Sequence, residues 1–170
     1  MTRRCLLGLG SNLGDRHALL DEALSAIGES FGAQPVVSSR YETPAWGMAP
    51  GTPPFVNQAA VLELPKSLHP SAILEGLLDI ERRLGRTRSA AGAGYQSRSI
   101  DLDVLAVEGV EMNEPHLTLP HPRMHLRRFV LEPLNEIAPD FPVTAEGHTV
   151  ADLLRSCTDD AAVKRLETAP

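Results

Sequence analysis

Asp101 and Asp103 are the two side chains in this sequence whose type and spacing most directly imply chemistry. They lie in the stretch Arg-Ser-Ile-Asp-Leu-Asp-Val-Leu, residues 98–105. Ile100, Leu102 and Val104 alternate there with Ser99, Asp101 and Asp103, the period of a strand with one face in the core. Asp is disfavoured inside strands. Two carboxylates on one face repel unless something positive sits between them. A hard divalent cation is the natural partner, and Mg²⁺ takes one or two carboxylates plus water and phosphate oxygens. A polar strand face in water is the plainer account of an isolated Asp-x-Asp. Here, however, Arg86, Arg88 and Arg98 come just before the pair. Guanidiniums beside paired carboxylates point to an anionic ligand that carries its own metal, and a nucleoside triphosphate fits.

A second group of residues is suited to a flat heterocycle. Phe55 and Asn57 share one face of a predicted strand. The ring can stack, and the amide can pair with a heterocycle's edge. Trp46, the only Trp, lies in a loop with four Pro and two Gly (42–54), where it is either a pocket wall or a loop anchor packed on the core. His121 stands between Pro120 and Pro122, so its position is set by a fixed turn. His121 and His125 are four apart, but no third ligand has metal-site spacing, which argues against zinc. Glu81 is read as a solvated carboxylate or as the partner of a nearby Arg or ligand amine. The connector 86–98 combines small residues, two Gly, Tyr95 and three Arg. That composition suits a lid closing over phosphates, although a surface loop would share most of it.

The elements that must position these residues can be read in order. Cys5 to Leu9 reads as a short buried strand. Gly10 and Gly14 are four apart, so the dinucleotide-binding fingerprint fails and a tight turn is expected, with Asp15 capping a helix. Leu20, Ala23, Leu24, Ile27 and Phe31 form that helix's stripe, and Gly32 ends it. Pro35 to Tyr41 and Phe55 to Leu64 read as strands. A second helix starts at Pro70, carries Ile73, Leu77, Ile80 and Leu84, and stops at Gly85. Leu131, Leu134 and Ile137 belong to a short helix, and Thr149 caps a last one, about 149–158. The final residues are expected to fray.

Composition narrows the function classes. The 170 residues are 42% hydrophobic and 22% charged, as in an ordinary globular domain. A net charge of -6 argues against a broad nucleic-acid surface. Fourteen of the 16 basic residues are Arg, and five of these lie between Arg82 and Arg98; Arg is suited to bidentate phosphate contacts. Cys5 and Cys157 read as free thiols in a reducing cytosol. No signal peptide or membrane span is expected, which places the chain in the cytoplasm.

Six segments taken together resemble the 6-hydroxymethyl-7,8-dihydropterin pyrophosphokinases of folate synthesis. They are Gly-Ser-Asn-Leu-Gly (10–14), Tyr-Glu-Thr-Pro (41–44), Phe-Val-Asn-Gln-Ala (55–59), Ile-Glu-Arg-Arg-Leu-Gly-Arg-Thr-Arg (80–88), Arg-Ser-Ile-Asp-Leu-Asp (98–103) and Leu-Pro-His-Pro-Arg-Met (119–124). The resemblance runs from Leu6 to about Pro139. It implies an α+β fold of a single domain spanning 1–170, a ferredoxin-like antiparallel sheet with helices packed on its faces. It also implies ATP as co-substrate, two Mg²⁺ ions and a reduced pterin. Asp101 and Asp103 would hold both metals. Arg86 and Arg98 would hold phosphates and support transfer, and Arg88 would belong to the lid. His121 and Arg127 would contact the nucleotide. Thr43, Pro44, Trp46, Phe55, Asn57 and Phe129 would line the pterin pocket, with Tyr95 closing over it. The chain departs from the family at Gln96-Ser97, usually Gly-Pro, and at His116, where an Arg is expected.

The implied reaction is direct transfer. The pterin hydroxymethyl oxygen attacks the β-phosphorus of ATP, and AMP leaves; no protein nucleophile or general base is assigned. Two rival readings stand beside it: a different Mg²⁺-dependent phosphotransferase on the same scaffold, and a non-catalytic nucleotide-binding module. Intact Asp101, Asp103, Arg86 and Arg98 count against the second. The expected state is a monomer that binds neither nucleic acid nor membrane. It has no room for a fused second folate enzyme, so any association with other folate enzymes is weak and between chains.

Overall fold

The computed structural model describes residues 1–85 and 98–167. Its framework is an antiparallel sheet built on two long strands, β1 (Thr2–Ser11) and β4 (Phe55–Pro65). They pair along their whole length, from Thr2 opposite Pro65 to Ser11 opposite Val56. β2 (Val36–Val37) and β3 (Tyr41–Thr43) add to β4, and β5 (Asp101–Val107) adds to the free edge of β1. A hairpin, β6 (Met112–Glu114) and β7 (Leu117–Leu119), follows, and β8 (Lys164–Arg165) closes the far edge on β3. The main order is β5-β1-β4-β3-β8. With α1 (Arg16–Phe31) between β1 and β3, and α2 (Pro70–Arg83) between β4 and β5, this is the ferredoxin-like β-α-β-β-α-β arrangement.

Helices cover both faces. Asp15 caps α1 by accepting a hydrogen bond from the Ala18 amide at 3.0 Å, and Gly32 ends it at φ 61°. Buried residues of α1 and α2 (Leu20, Ala23, Ile27, Ile73, Leu77, Ile80) pack with Cys5, Leu7, Leu9, Leu62, Leu102 and Val104 on one face. The two helices approach closely: a Cβ on Gly76 would lie 2.7 Å from the Phe31 ring. On the other face, α3 (Arg128–Ile137) and α4 (Val150–Ser156) bring Leu131, Leu134 and Val150 against Leu6, Ala59, Val61 and Leu105. Thr149 caps α4 in a reciprocal capping box with Asp152.

Two expectations change. The strand predicted from Pro35 to Tyr41 is two short strands, separated at Ser38. The Ser38 hydroxyl accepts the Ala59 amide hydrogen at 2.9 Å, so a side chain takes a ladder position there. The expected fraying of the final residues does not describe Lys164 and Arg165, which form β8 opposite Glu42 and Tyr41.

Candidate active site

Register on the α3 side of the sheet creates the site. In one row across three strands, Asp101 faces Gly10 and Gly10 faces Asn57; in the next, Asp103 faces Gly8 and Gly8 faces Ala59. Paired residues of adjacent strands point to the same face. The central strand therefore offers backbone alone between the carboxylates and the amide, and a trough results. It has no room to spare at Gly10, where a Cβ would stand 2.9 Å from Asn57 Oδ1. Strand spacing places the aspartate and amide strands two ladder steps apart, about 9.6 Å.

This trough is the floor of a cleft open to solvent. Thr43, Pro44, Trp46, Phe55, Asn57 and Phe129, all expected at a pterin pocket, line it together with Arg98, Asp101, Asp103 and Arg127. Asn57 is buried and oriented, donating through Nδ2 to Thr43 Oγ1 at 2.7 Å. Arg127 is buried as well. Its guanidinium sits over the Trp46 ring at 5.0 Å and over Phe129 at 5.7 Å, both cation–π distances. Trp46 is thus both a wall of the cleft and a support for Arg127.

Burial and its neighbours set the charge state of the aspartate pair. Burial pushes Asp103 up to about 7, the Asp101 carboxylate adds to this, and the positive charges of Arg127 and Arg98 oppose it. Arg98 pairs with Asp101 at 3.1 Å. Asn12 fixes the backbone of Arg98: its Oδ1 accepts the Arg98 amide hydrogen at 2.8 Å, and its backbone N–H donates to the Arg98 carbonyl at 3.2 Å. An all-oxygen pair that holds its charge at such cost fits a hard divalent cation such as Mg²⁺. Among the described residues no cluster of three or more His, Cys, Asp or Glu forms a complete metal cage.

His121 does not line this cleft. It lines an adjacent hollow with Pro120, His125, Thr144 and Leu153, close enough to the site to feel the charges of Arg127 and Asp101. Burial first, then Arg127 and Arg123, push its imidazole down to about 4, so it is neutral at neutral pH. Nδ1 accepts the Arg123 amide hydrogen at 3.2 Å, which leaves Nε2 as the donor. His116, at the exposed β6–β7 connection, lines neither space. Glu81 is not solvated. It is buried on α2, and its Oε1 accepts the Leu102 amide hydrogen at 2.8 Å, which anchors the aspartate strand to the helix. Arg86, Arg88 and Tyr95, and the connector that carries them, lie outside the described residues up to residue 97.

Sequence reasoning missed Gly8 and Gly10 as part of the site. A usable signal was present: two glycines at i, i+2 inside an apolar strand mark a close approach of backbone or ligand. It also missed Asn12, whose tie to Arg98 spans 86 residues.

Residues 6–139 match the family described as 7,8-dihydro-6-hydroxymethylpterin-pyrophosphokinase (HPPK). Over 134 residues the chain is 44% identical to the 2-amino-4-hydroxy-6-hydroxymethyldihydropteridine pyrophosphokinase of Porphyromonas gingivalis, covering 78% of this chain and 89% of that one. It is 39% identical over 165 residues to the enzyme of the same name from Methylorubrum extorquens, covering 96% and 99%. Among solved structures, a Plasmodium falciparum HPPK-DHPS chain aligns with a TM-score of 0.67 at 14% identity, a likeness of fold alone. That alignment covers 91% of this chain but only 45% of the Plasmodium one. On the strength of the match over residues 6–139 and of relatives at this identity, the chain belongs to the 7,8-dihydro-6-hydroxymethylpterin pyrophosphokinase family.

Proposed function

We propose that this chain transfers a pyrophosphoryl group from ATP to the hydroxymethyl group of 6-hydroxymethyl-7,8-dihydropterin, giving AMP and the pterin diphosphate on the route to tetrahydrofolate. One observation carries the reading. A carboxylate pair and an amide-and-aromatic slot face each other across side-chain-free backbone in a single cleft. The slot suits a flat ring, with Asn57 and Thr43 at its edge and Phe55, Phe129 and Trp46 as stacking faces. The carboxylate end suits the hydroxymethyl arm and the phosphates.

Asp101 and Asp103 would hold Mg²⁺, two ions in this reading; when bound, the metal offsets phosphate charge and aligns the chain for in-line displacement. The protein's own part is positional and electrostatic. The hydroxymethyl oxygen forms a bond to the β-phosphorus, the bond from that phosphorus to the α-bridging oxygen breaks, and the hydroxyl proton leaves to solvent. Arg98 and Arg127 sit where charge develops on the transferring group. His121, neutral with Nε2 as donor, is suited to a hydrogen bond to a phosphate oxygen from the neighbouring hollow. Arg86 and Arg88 would add phosphate contacts, and Tyr95 would cover the ring.

The same reading makes the protein a cytoplasmic monomer with one functional domain. In support, one chain supplies every named wall of the cleft, and among the described residues no helix is long and apolar enough to cross a membrane. The test is incubation with ATP, Mg²⁺ and the dihydropterin, with products separated by anion exchange. AMP formed in step with pterin diphosphate is expected. ADP, or no pterin-dependent product at all, would reject the assignment.

A further inference from the structure

The chain beyond residue 139 lies outside the family match, yet part of it contacts the elements that wall the site. α3 delivers Arg127 and Phe129 to the cleft, but its N-terminus has no side-chain cap of its own. The orphan amides of a first turn fray when nothing accepts them. Asp159, on the segment after α4, fills that role from a distance. Its Oδ2 accepts the Arg128 amide hydrogen at 2.9 Å, and its carbonyl accepts Arg128 Nε at 2.8 Å. Its Oδ1 accepts the Ala161 amide at 3.1 Å, which fixes the carboxylate's orientation. A carboxylate there also faces the positive end of the helix dipole.

The same segment then crosses to the opposite wall. Lys164 and Arg165 pair with Glu42 and Tyr41 of β3, the strand that carries Thr43 and leads into the Trp46 loop. The Leu166 amide donates to the Arg40 carbonyl at 2.8 Å, and Leu166 packs against the core. Arg165 Nε donates to Ser39 Oγ at 3.0 Å. Residues 157–167 therefore tie together the two elements that carry the walls of the ring slot.

We propose that this C-terminal arm is a clasp that holds the ring slot in its binding geometry, and that Asp159 is its positioning residue. This rests on the function proposed above. Asp159 touches neither substrate; it acts through the first turn of α3. Without the cap, that turn opens while the body of the helix stays anchored by Leu131 and Leu134. Phe129 and Arg127 then have to be re-ordered by the ligand, and affinity falls by the cost of closing the turn.

The test uses full-length Asp159→Ala and Asp159→Asn, with Asp160→Ala as the control for lost charge. Expected for Asp159→Ala is a KM for the dihydropterin raised about fivefold, the weight of a typical helix cap. Asn, which keeps a carbonyl acceptor, should recover most of the loss, and Asp160→Ala should behave as the parent. Hydrogen exchange should show protection lost at amides 128–131 in Asp159→Ala, kept in Asp159→Asn and unchanged in the α1 and α2 core. Either a KM within twofold of the parent or unchanged protection at those amides would overturn the proposal. If the parent itself makes no AMP, the functional reading fails, and the exchange experiment alone decides the clasp.

Discussion

Replacing Asp103 by Asn should make the metal-free protein more stable while removing its activity. Asn keeps the volume of Asp, so no cavity opens and the change is one of charge. In the folded chain, burial and the Asp101 carboxylate hold Asp103 at about 7, against 3.8 for an ordinary aspartate. At 1.36 kcal/mol per unit, ionising it in place costs up to about 4 kcal/mol of folding stability. Asp103 keeps some solvent contact, which screens part of this, and about 2 kcal/mol is the working figure. The sign follows from proton binding. A carboxylate raised in the folded state binds protons more tightly there, so its contribution is favourable at low pH and is lost as pH rises through 7. Relative to the Asn variant, the parent should weaken between pH 4 and 7 and remain weaker above.

For a chain of 170 residues that working figure of about 2 kcal/mol corresponds to about 4–8 °C in Tm. Calorimetric melting of both proteins in chelator, at pH values from 4.5 to 8, measures it. The gap should open across that range and narrow at pH 8 when excess Mg²⁺ is added, because only the parent presents both carboxylates. An Asn variant that melts at or below the parent at pH 8 in chelator would refute the electrostatic account. So would a gap independent of pH.

Three further outcomes follow from the same geometry. Phe55→Ala or Asn57→Ala should weaken binding of a non-reactive pterin by about 1–3 kcal/mol, with a smaller effect on an ATP analogue; calorimetric titration of each ligand would expose equal losses if the slot is misassigned. Gly10→Ala should raise the pterin KM about tenfold with little change in Tm, since its Cβ would press on Asn57 Oδ1 rather than on the core; an unchanged KM would mean that the floor is not used. Glu81→Ala should destabilise the fold by about 1–3 kcal/mol by orphaning the buried Leu102 amide, and Glu81→Gln, which keeps an acceptor, should restore most of the loss in urea unfolding.

Patterns repeating within a few residues were legible. The alternation from Ile100 to Val104 placed both aspartates on one strand face, and Phe55 with Asn57 on another. Asp15, Thr149, Gly32 and Gly85 marked helix ends because caps are local chemistry. What failed depended on partners far along the chain. Ser38 interrupts a strand because its hydroxyl meets the Ala59 amide, 21 residues away. Glu81 is buried because Leu102 arrives there, again 21 residues on. β8 has no apolar alternation to announce it, since Lys164 and Arg165 are both exposed. Gly10 looked like part of a turn because glycine serves turns and close approaches equally, and only register separates the two.

The two glycines of β1 have a bearing on how the enzyme could ever change its substrate. The interval between Asn57 and Asp101 is spanned by peptide hydrogen bonds, and those have one length. The site thus contains a measuring stick made of backbone. Substituting its walls can alter which ring is accepted, but side-chain substitutions leave the strand spacing between the amide and the carboxylates unchanged. On the proposed placement of ring and phosphates, a heterocycle with a longer arm would carry its hydroxyl past the carboxylate end, so this spacing favours alcohols borne one carbon from a ring of pterin size.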